Sequence, residues 1–427
     1  MDKKNILIFP GGTENGIEIY HSLKNVKFIN LFSASSHLIN HASYIYKHNN
    51  IICDVSQKKW VDELNDLIIK NKIDLIYPSN SLIIDALSKE KDKIKAEILL
   101  ANNRAINITR SKKKTIKMLR GVIPTPKIFN SKDEITSYPV FSKPDNGYGG
   151  KDAKIINCEN ELSGVDFNSN IVQEYLPLKE YTIDCFSDRE GKLLFAGPRE
   201  RNRIRMGTSM HANNVPEDLK AKLIKYAEKI LSKIKIEGAW FFQVKENLSN
   251  ELVLLEIDIR IAGTMCFNRV KGINFPLLSV YQHYEQPINI MTNDIDISLD
   301  RCLKNRYSLS YKYNHVYIDL DDCLIIRNKI NLELVTFLYQ CINNHIQITL
   351  ITKSLEHKLE EFLIDKKIFH LFDEIIHLKA TEMKARYIKK GSIFIDDSFS
   401  QRMSVYENTG VPTFDTSMIE LLLNDRY

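Results

Sequence analysis

Short apolar runs alternate with helical patterns over the first hundred residues. Asn5-Ile-Leu-Ile-Phe9 reads as a buried strand, Pro10-Gly11-Gly12 ends it, and a helical pattern follows from about Glu14 to Leu23. Val26 to Phe32 reads as a second strand, Trp60 to Lys70 as a helix, and Ile73 to Tyr77 as a strand stopped at Pro78. Strands alternating with helices predict an α/β unit on a parallel sheet. The Gly11-Gly12 turn stands at a helix N-terminus, a place suited to phosphate. Its spacing is not GxGxxG, and no acidic residue follows the second strand at a suitable distance, so it reads as a structural turn.

The pattern changes after about Thr109. Lys112 to Leu119 is helical, and Ile123-Pro-Thr-Pro126 stops it. Strands then follow over Pro139 to Pro144, Ile171 to Leu176 and Tyr181 to Phe186, with a helix over Pro216 to Lys233 and strands over Trp240 to Lys245 and Leu252 to Ile261. This is an α+β segment of antiparallel strands. Residues 292–313 are polar and pattern-poor, which predicts a linker. Val316-Tyr-Ile-Asp319 then opens a second α/β alternation, with helices over about Leu332 to Asn344, Leu355 to Asp365 and Thr381 to Lys389. Its strands cover Ile348 to Ile351 and Ser392 to Ile395, and a helix lies near the C-terminus.

At 427 residues the chain is long enough for several domains. A net charge of +5 is too small and diffuse to argue for nucleic acid, so none is expected as a partner. The seven cysteines include no CxxC pair, which speaks against a zinc site and for a reducing compartment. The first apolar run is too short for a signal peptide, and no run reaches the roughly 18 apolar residues of a membrane span. The expectation is a cytoplasmic protein with no membrane partner, and an oligomer is compatible with the sequence.

Val253-Leu-Leu-Glu256-Ile-Asp258-Ile-Arg260 concentrates the chemistry. On a strand Glu256, Asp258 and Arg260 share one face, which offers two carboxylates to a hard Mg²⁺ ion and a guanidinium to an anion. Gln243, on the preceding strand, adds an amide oxygen. Lys143 ends a strand before Gly147-Tyr-Gly-Gly150, a loop whose backbone amides can close over phosphates. Gln173, Glu174 and Leu176 on a strand edge, followed by Glu180, suit a nucleoside. Arg199, Arg201, Arg203 and Arg205 alternate, so on a strand they would share one face, either an anion platform or a solvated charged edge.

In this order the features resemble the ATP-grasp superfamily, in its carbamoyl-phosphate-synthase-like, carboxylate–amine ligase branch, over about residues 1 to 290. The resemblance implies a Rossmann-like pre-ATP-grasp domain over 1–108 and an ATP-grasp domain over 109–295, with a linker at 296–312. It implies that Lys112 and Lys143 bind ATP phosphates under the loop of Gly147, Gly149 and Gly150, with Arg199 and Arg201 beside them. Gln173, Glu174 and Leu176 would meet adenine and Glu180 the ribose. Gln243, Glu256 and Asp258 would hold Mg²⁺, with Mn²⁺ as an alternative, and Arg260 would meet the transferred phosphoryl group. Two positions depart from the pattern: Asp258 replaces the usual Asn, and Ser111 replaces the usual acid before Lys112.

The C-terminal alternation carries a second set of acids. Asp319 and Asp321 follow one apolar strand, Asp396 and Asp397 another, and Thr352 closes a third. Strand C-termini of an α/β sheet are where sites form. One carboxylate there can attack phosphorus while another trades the leaving-group proton. Over 313–427 this resembles the haloacid-dehalogenase (HAD) superfamily. The resemblance implies a Rossmannoid domain with Asp319 as nucleophile, Asp321 as general acid/base, Thr352 as the second-motif hydroxyl and Lys384 as the phosphate-stabilising lysine, with Lys379 as its runner-up. Asp396 and Asp397, with Asp319 and Asp321, would hold Mg²⁺. Only about 30 residues separate Asp319 from Thr352, which leaves no room for a cap domain there.

The expected architecture is therefore a multidomain α/β and α+β chain. Its expected function is an ATP-dependent ligase for a small carboxylate and an amine, fused to a phosphatase acting on a phosphorylated metabolite. Surface-polysaccharide precursor synthesis is a setting suggested by analogy with similar fusions. The alternatives are a kinase acting on a small metabolite, and a nucleotide-binding regulator with a non-catalytic HAD scaffold.

Overall fold

Period-2 burial sets the first sheet. Ile6 and Ile8 of β1 (Lys4–Phe9) face one core, and Leu7 and Phe9 face the other. With β2 (Ile29–Ser35), β3 (His48–Ile51), β4 (Leu75–Pro78) and β5 (Glu97–Ile98), β1 forms a parallel sheet in the order β3-β2-β1-β4-β5. Helices Trp60–Asn71 and Ser81–Glu90 cover one face, and helix Glu14–Leu23 covers the other. The Gly11-Gly12 turn is tight for packing reasons: a Cβ on Gly11 would lie 2.4 Å from the Ser33 Cβ. The computed structural model describes residues 2–147, 150, 152–205, 207–356, 358–424 and 426, which divide into two units, 2–303 and 304–426.

The first unit holds two more sheets. One is antiparallel, ordered β6-β9-β7-β8, from β6 (Ile128–Phe129), β7 (Val140–Pro144), β8 (Lys154–Ile156) and β9 (Asn170–Glu174). The other has six strands: β10 (Glu180–Ser187), β11 (Leu193–Arg205), β12 (Thr208–Asn213), β13 (Gly238–Glu246), β14 (Leu252–Asp258) and β15 (Ser298–Asp300), ordered β14-β13-β10-β11-β12-β15. Helix Glu217–Leu231 packs Leu223, Ala227 and Ile230 against Ile183, Phe242 and Leu254 of this sheet. Phe241 and Ile261 instead share a core with Ile6, Ile8 and Ile19, so the N-terminal sheet and the six-stranded sheet are welded by apolar burial. The stretch expected to be a linker is partly ordered: β15 pairs with β12, His211 opposite Asp300. This is a short edge strand in which only Leu299 is partly buried.

The second unit is a parallel sheet, β20-β19-β16-β21-β22, built from β16 (His315–Ile318), β19 (Gln347–Thr352), β20 (Glu374–His377), β21 (Ser392–Ile395) and β22 (Thr413–Phe414). Its helices include Leu332–Asn343, Leu359–Asp365 and Phe399–Thr409. Between β16 and β19 the described chain holds only the small β17 (Ile325–Ile326) and β18 (Lys329–Ile330) hairpin and one helix, as the short spacing predicts. The helix expected over Thr381 to Lys389 is only a short 3₁₀ turn, Lys384–Arg386. Lys384 is drawn into a carboxylate cluster there, and that tertiary demand overrides local propensity. Among the described residues no helix is long and apolar enough to cross a membrane.

Candidate functional sites

The first unit encloses a cavity of about 510 Å³ between the four-stranded and six-stranded sheets. On β13, Phe241, Gln243 and Lys245 alternate toward it, while Phe242 and Val244 enter the core behind. Gln243 is in register with Glu256 of β14, so their side chains neighbour each other across the pair. Lys143, at the end of β7, is only 9% exposed and donates to the Leu255 carbonyl at 3.0 Å. Burial lowers its pKa to about 8. Glu256 opposes that shift and Lys112 adds to it.

Lys112 opens helix Lys112–Leu119 and donates to the Gly147 carbonyl at 2.8 Å, so it tethers the start of the glycine loop. Ser111 caps that helix through Lys114 N and donates to Asp145 at 2.7 Å. The acid missing before Lys112 is thus met by Asp145 from the next loop. Gly147 and Gly150 line the cavity, and Gly150 takes a positive φ of 69°. Gly149 lies outside the described residues.

Gln173, Glu174, Leu176 and Glu180 line the opposite end. Glu174 accepts from the Lys127 amide at 3.0 Å, and Glu180 is ion-paired with Arg201, with Lys245 at 4.0 Å. The four arginines of β11 do not form the expected single platform. Register shifts between Arg201 and Arg203 and between Arg203 and Ile204 break the alternation. Arg203 pairs with Asp300, and only Arg199 and Arg201 line the cavity. Arg199 is 1% exposed and gripped by Asp184 through Nε at 2.9 Å and Nη2 at 3.2 Å. Its Nη1 has no partner, and neither do Arg201 Nε, Gln173 Oε1 and Thr182 Oγ1, all buried in residues that line the cavity. Buried polar atoms left unsatisfied are costly, so this set fits a polar ligand such as a nucleotide.

The acidic strand end divides. β14 stops at Asp258, and the chain bends before Arg260. Glu256 and Arg260 reach the main cavity, whereas Asp258 lines a neighbouring recess of about 30 Å³ together with Glu256 and Lys112. Asp258 is committed to Arg260 and to Ser81, each at 2.8 Å. The structure also adds lining residues that the sequence reading missed. Thr182 and Lys245 stand two positions from Glu180 and Gln243, so strand alternation was an available signal. Arg301 reaches the cavity from beyond β15 and pairs with Glu14 at 3.3 Å, a long-range arrangement with no local signature.

In the second unit Asp319, Thr352 and Asp396 close three adjacent strands, β16, β19 and β21. Asp319, Asp396 and Asp397 each offer an oxygen within 4.8 Å of the others, spacing suited to a hard cation. Lys384 is 3% exposed, with Nζ 2.6 Å from Asp319 and 2.7 Å from Asp396. Burial opposes its charge, but the two carboxylates outweigh it and raise its pKa. Burial lifts Asp319 to about 6, with Lys384 pulling it down and Asp396 pushing it up. Thr352 is buried and accepts from the Ser354 amide at 3.1 Å. Asp321 is exposed and stands outside the carboxylate group. The Lys379 backbone amide donates to Glu382 and its carbonyl accepts from the Glu382 amide, whereas Lys384 is the lysine whose ammonium meets the acids. Asp322 takes a φ of 54°, the left-handed conformation that glycine adopts most freely.

A family model described as an ATP-grasp in the biosynthetic pathway with Ter operon matches residues 166–299. Among solved structures, the chain resembles biotin carboxylase from Campylobacter jejuni in a β,γ-ATP complex, with 16% identity over 67% of this chain and 72% of that one and a TM-score of 0.56. It also resembles N5-carboxyaminoimidazole synthetase from Staphylococcus aureus complexed with ADP, at 18% identity, 68% and 79% coverage and a TM-score of 0.55. A third is the biotin carboxylase domain dimer of Hydrogenobacter thermophilus 2-oxoglutarate carboxylase, which holds MgADP and bicarbonate, at 14% identity, 69% and 73% coverage and a TM-score of 0.56. No curated protein sequence matches this one. The family match over residues 166–299 and the fold shared with these structures agree with the cavity geometry.

Proposed function

We propose that the first unit is an ATP-dependent ligase that joins a carboxylate to an amine through an acyl phosphate. The observation that carries this reading is Gln243 facing Glu256 in the cavity that also holds buried Lys143 and the unpartnered Arg199 Nη1. The adenine end belongs to Gln173, Glu174 and Leu176, and the ribose to Glu180. Lys112, Lys143, Arg199 and Arg201 take the phosphates beneath the glycine loop. Gln243 and Glu256 would hold magnesium, which when bound would neutralise negative charge on the phosphates. Arg260 faces the phosphoryl group in transfer. A carboxylate oxygen attacks the γ-phosphorus and the bond to ADP breaks. The amine nitrogen then bonds to the acyl carbon, and phosphate leaves. Positioning and electrostatics supply the catalysis, so no side-chain nucleophile is required. Incubation with ATP, candidate carboxylates and hydroxylamine tests this reading, because an acyl phosphate yields a hydroxamate. A phosphorylated product with no hydroxamate would instead make the unit a kinase.

We propose that the second unit is a Mg²⁺-dependent phosphatase of the HAD type. Support comes from three site residues at adjacent strand ends and from Lys384 bridging Asp319 and Asp396. Asp319 attacks phosphorus and the alcohol leaves with a proton from Asp321, which then takes a proton from the water that cleaves the aspartyl phosphate. Lys384 balances charge on the transferred group, Thr352 orients it, and Asp396 and Asp397 join Asp319 around the ion. Hydrolysis of p-nitrophenyl phosphate with Mg²⁺, abolished by Asp319→Asn, is the expected result. Equal turnover by the variant would rule this site out.

A further inference from the structure

A second cavity, of about 370 Å³, lies in the first unit along the same strand. Lys245, Gln243 and Phe241 of β13 line the first cavity, and Ala239, next on the same face, lines the second. At the rise of a β-strand, Ala239 is about 13 Å from Gln243. The direction along β13 therefore runs from Lys245 near Glu180, through Gln243 opposite Glu256, to the second cavity. Arg260 lines both cavities and stands where they meet.

The walls of the second cavity are apolar at Pro78, Ile84, Leu99 and Ile261 and polar at Ser279 and Gln282. Its charged groups are almost all matched. Arg189 donates to the Gln282 and His283 carbonyls and pairs with Glu285. His283 pairs with Glu97 at 2.7 Å, and Arg260 with Asp258 at 2.8 Å. Glu237 alone among these lining charges has no hydrogen-bond or ion-pair partner in the structure. A lone carboxylate beside apolar walls attracts an ammonium group and repels a second carboxylate.

We propose that this second cavity captures the acceptor of the ligase, a compact primary amine whose ammonium first pairs with Glu237 and which then moves past Arg260 to the acyl phosphate. The assignment rests on the ligase reading of the first cavity. In the transfer the nitrogen bonds to the acyl carbon and the carbon–oxygen bond to phosphate breaks. Of the two protons the ammonium loses, one ends on phosphate and the other in solvent. The cavity volume falls in the range of small-molecule sites, and its position separates the amine from the nucleotide.

The test uses the full-length protein with MgADP and saturation-transfer NMR on a panel of ethanolamine, putrescine and glucosamine, with glycine as a carboxylate-bearing control. Glu237→Gln removes the charge, and Ala101→Trp fills the cavity from its rim. At least one panel amine is expected to bind wild type and to bind each variant at least about tenfold more weakly. MgADP affinity is expected to stay unchanged, and it also reports on folding. If Ala101→Trp does not fold, Glu237→Gln carries the test. No amine binding to wild type, or binding indifferent to the substitutions, overturns the assignment. The hydroxylamine assay separates the two levels, because so small a nucleophile does not depend on the acceptor cavity. Hydroxamate formed while amine binding ignores the substitutions removes the acceptor site alone. No hydroxamate from any carboxylate removes the ligase reading and the acceptor site with it.

Discussion

Arg260 Nε lies 2.8 Å from Asp258 Oδ2, and Ser81 Oγ touches both, at 2.8 Å from Asp258 and 3.1 Å from Arg260. Ser81 comes from the helix after β4, so the N-terminal sheet helps to fix an arginine that lines the main cavity. The ring of Phe241 lies 5.1 Å from the guanidinium carbon and supports it from one side. On the proposed ligase reading, Asp258 acts by fixing Arg260. Asp258→Ala is expected to lower kcat by about ten- to a hundredfold, the loss of a charged hydrogen bond, with MgADP affinity close to wild type. Ser81→Ala should act in the same direction, and the double variant should be no worse than Asp258→Ala alone. A rise in the Mg²⁺ requirement of Asp258→Ala would return that carboxylate to the metal.

Lys143 shows function set against stability. Burial holds its pKa near 8 against 10.5 for a free lysine, a difference of about 3 kcal/mol carried by the folded state at neutral pH. The unfolded chain binds the extra proton between those values, so wild-type stability rises as pH climbs from about 8 toward 10.5. Lys143→Met removes the buried charge and should melt higher than wild type at pH 7 while losing ATP affinity. Its advantage should shrink above about pH 8 and vanish near 10.5, as followed by thermal denaturation across that range.

The period-2 and period-3.6 patterns revealed most of the architecture, because burial enforces them. Helix Lys112–Leu119 was placed to the residue, and β13 and β21 to within two. What the sequence concealed has physical causes. β15 is a three-residue edge strand, and the alternation of Ile295, Ile297 and Leu299 with polar residues that leads into it is short enough to pass for a linker. The 3₁₀ turn Lys384–Arg386 follows from a buried ion cluster that no local window contains. Arg199 and Arg203 alternate in sequence, but bulges in β11 send one to Asp184 and the other to Asp300. Glu256 and Asp258 both lie on β14 as the alternation predicts, and the chain bends only after Asp258, before Arg260.

Glu256 stands opposite Gln243 and lines both the main cavity and the recess beside Lys112. Its carboxylate is the one charged oxygen ligand that the strand pair offers the cavity directly. Glu256→Gln keeps the shape and removes the charge. At fixed ADP the Mg²⁺ midpoint for nucleotide binding should rise at least about tenfold, measured by calorimetry. Gln243→Ala, which removes a neutral oxygen, should shift it less. Equal midpoints in wild type and Glu256→Gln would place the metal elsewhere.

Lys384 is the keystone of the second unit's site because it separates two buried carboxylates. Asp396 is 0% exposed and Asp319 8%, and both depend on the same ammonium group. Lys384→Met leaves that pair facing each other unscreened. Breaking a buried ion pair costs about 3–5 kcal/mol, so the unit should melt well below wild type in chelator. The two carboxylates then need another cation, and the exposed Asp397 completes a ligand set for one. Added Mg²⁺ should therefore recover more stability in Lys384→Met than in wild type, while p-nitrophenyl phosphate hydrolysis stays lost because the charge that balances the transferred phosphoryl group is gone. Thermal melts with and without Mg²⁺ measure both effects. An unchanged melting temperature in chelator would show that Lys384 does not stabilise the acids.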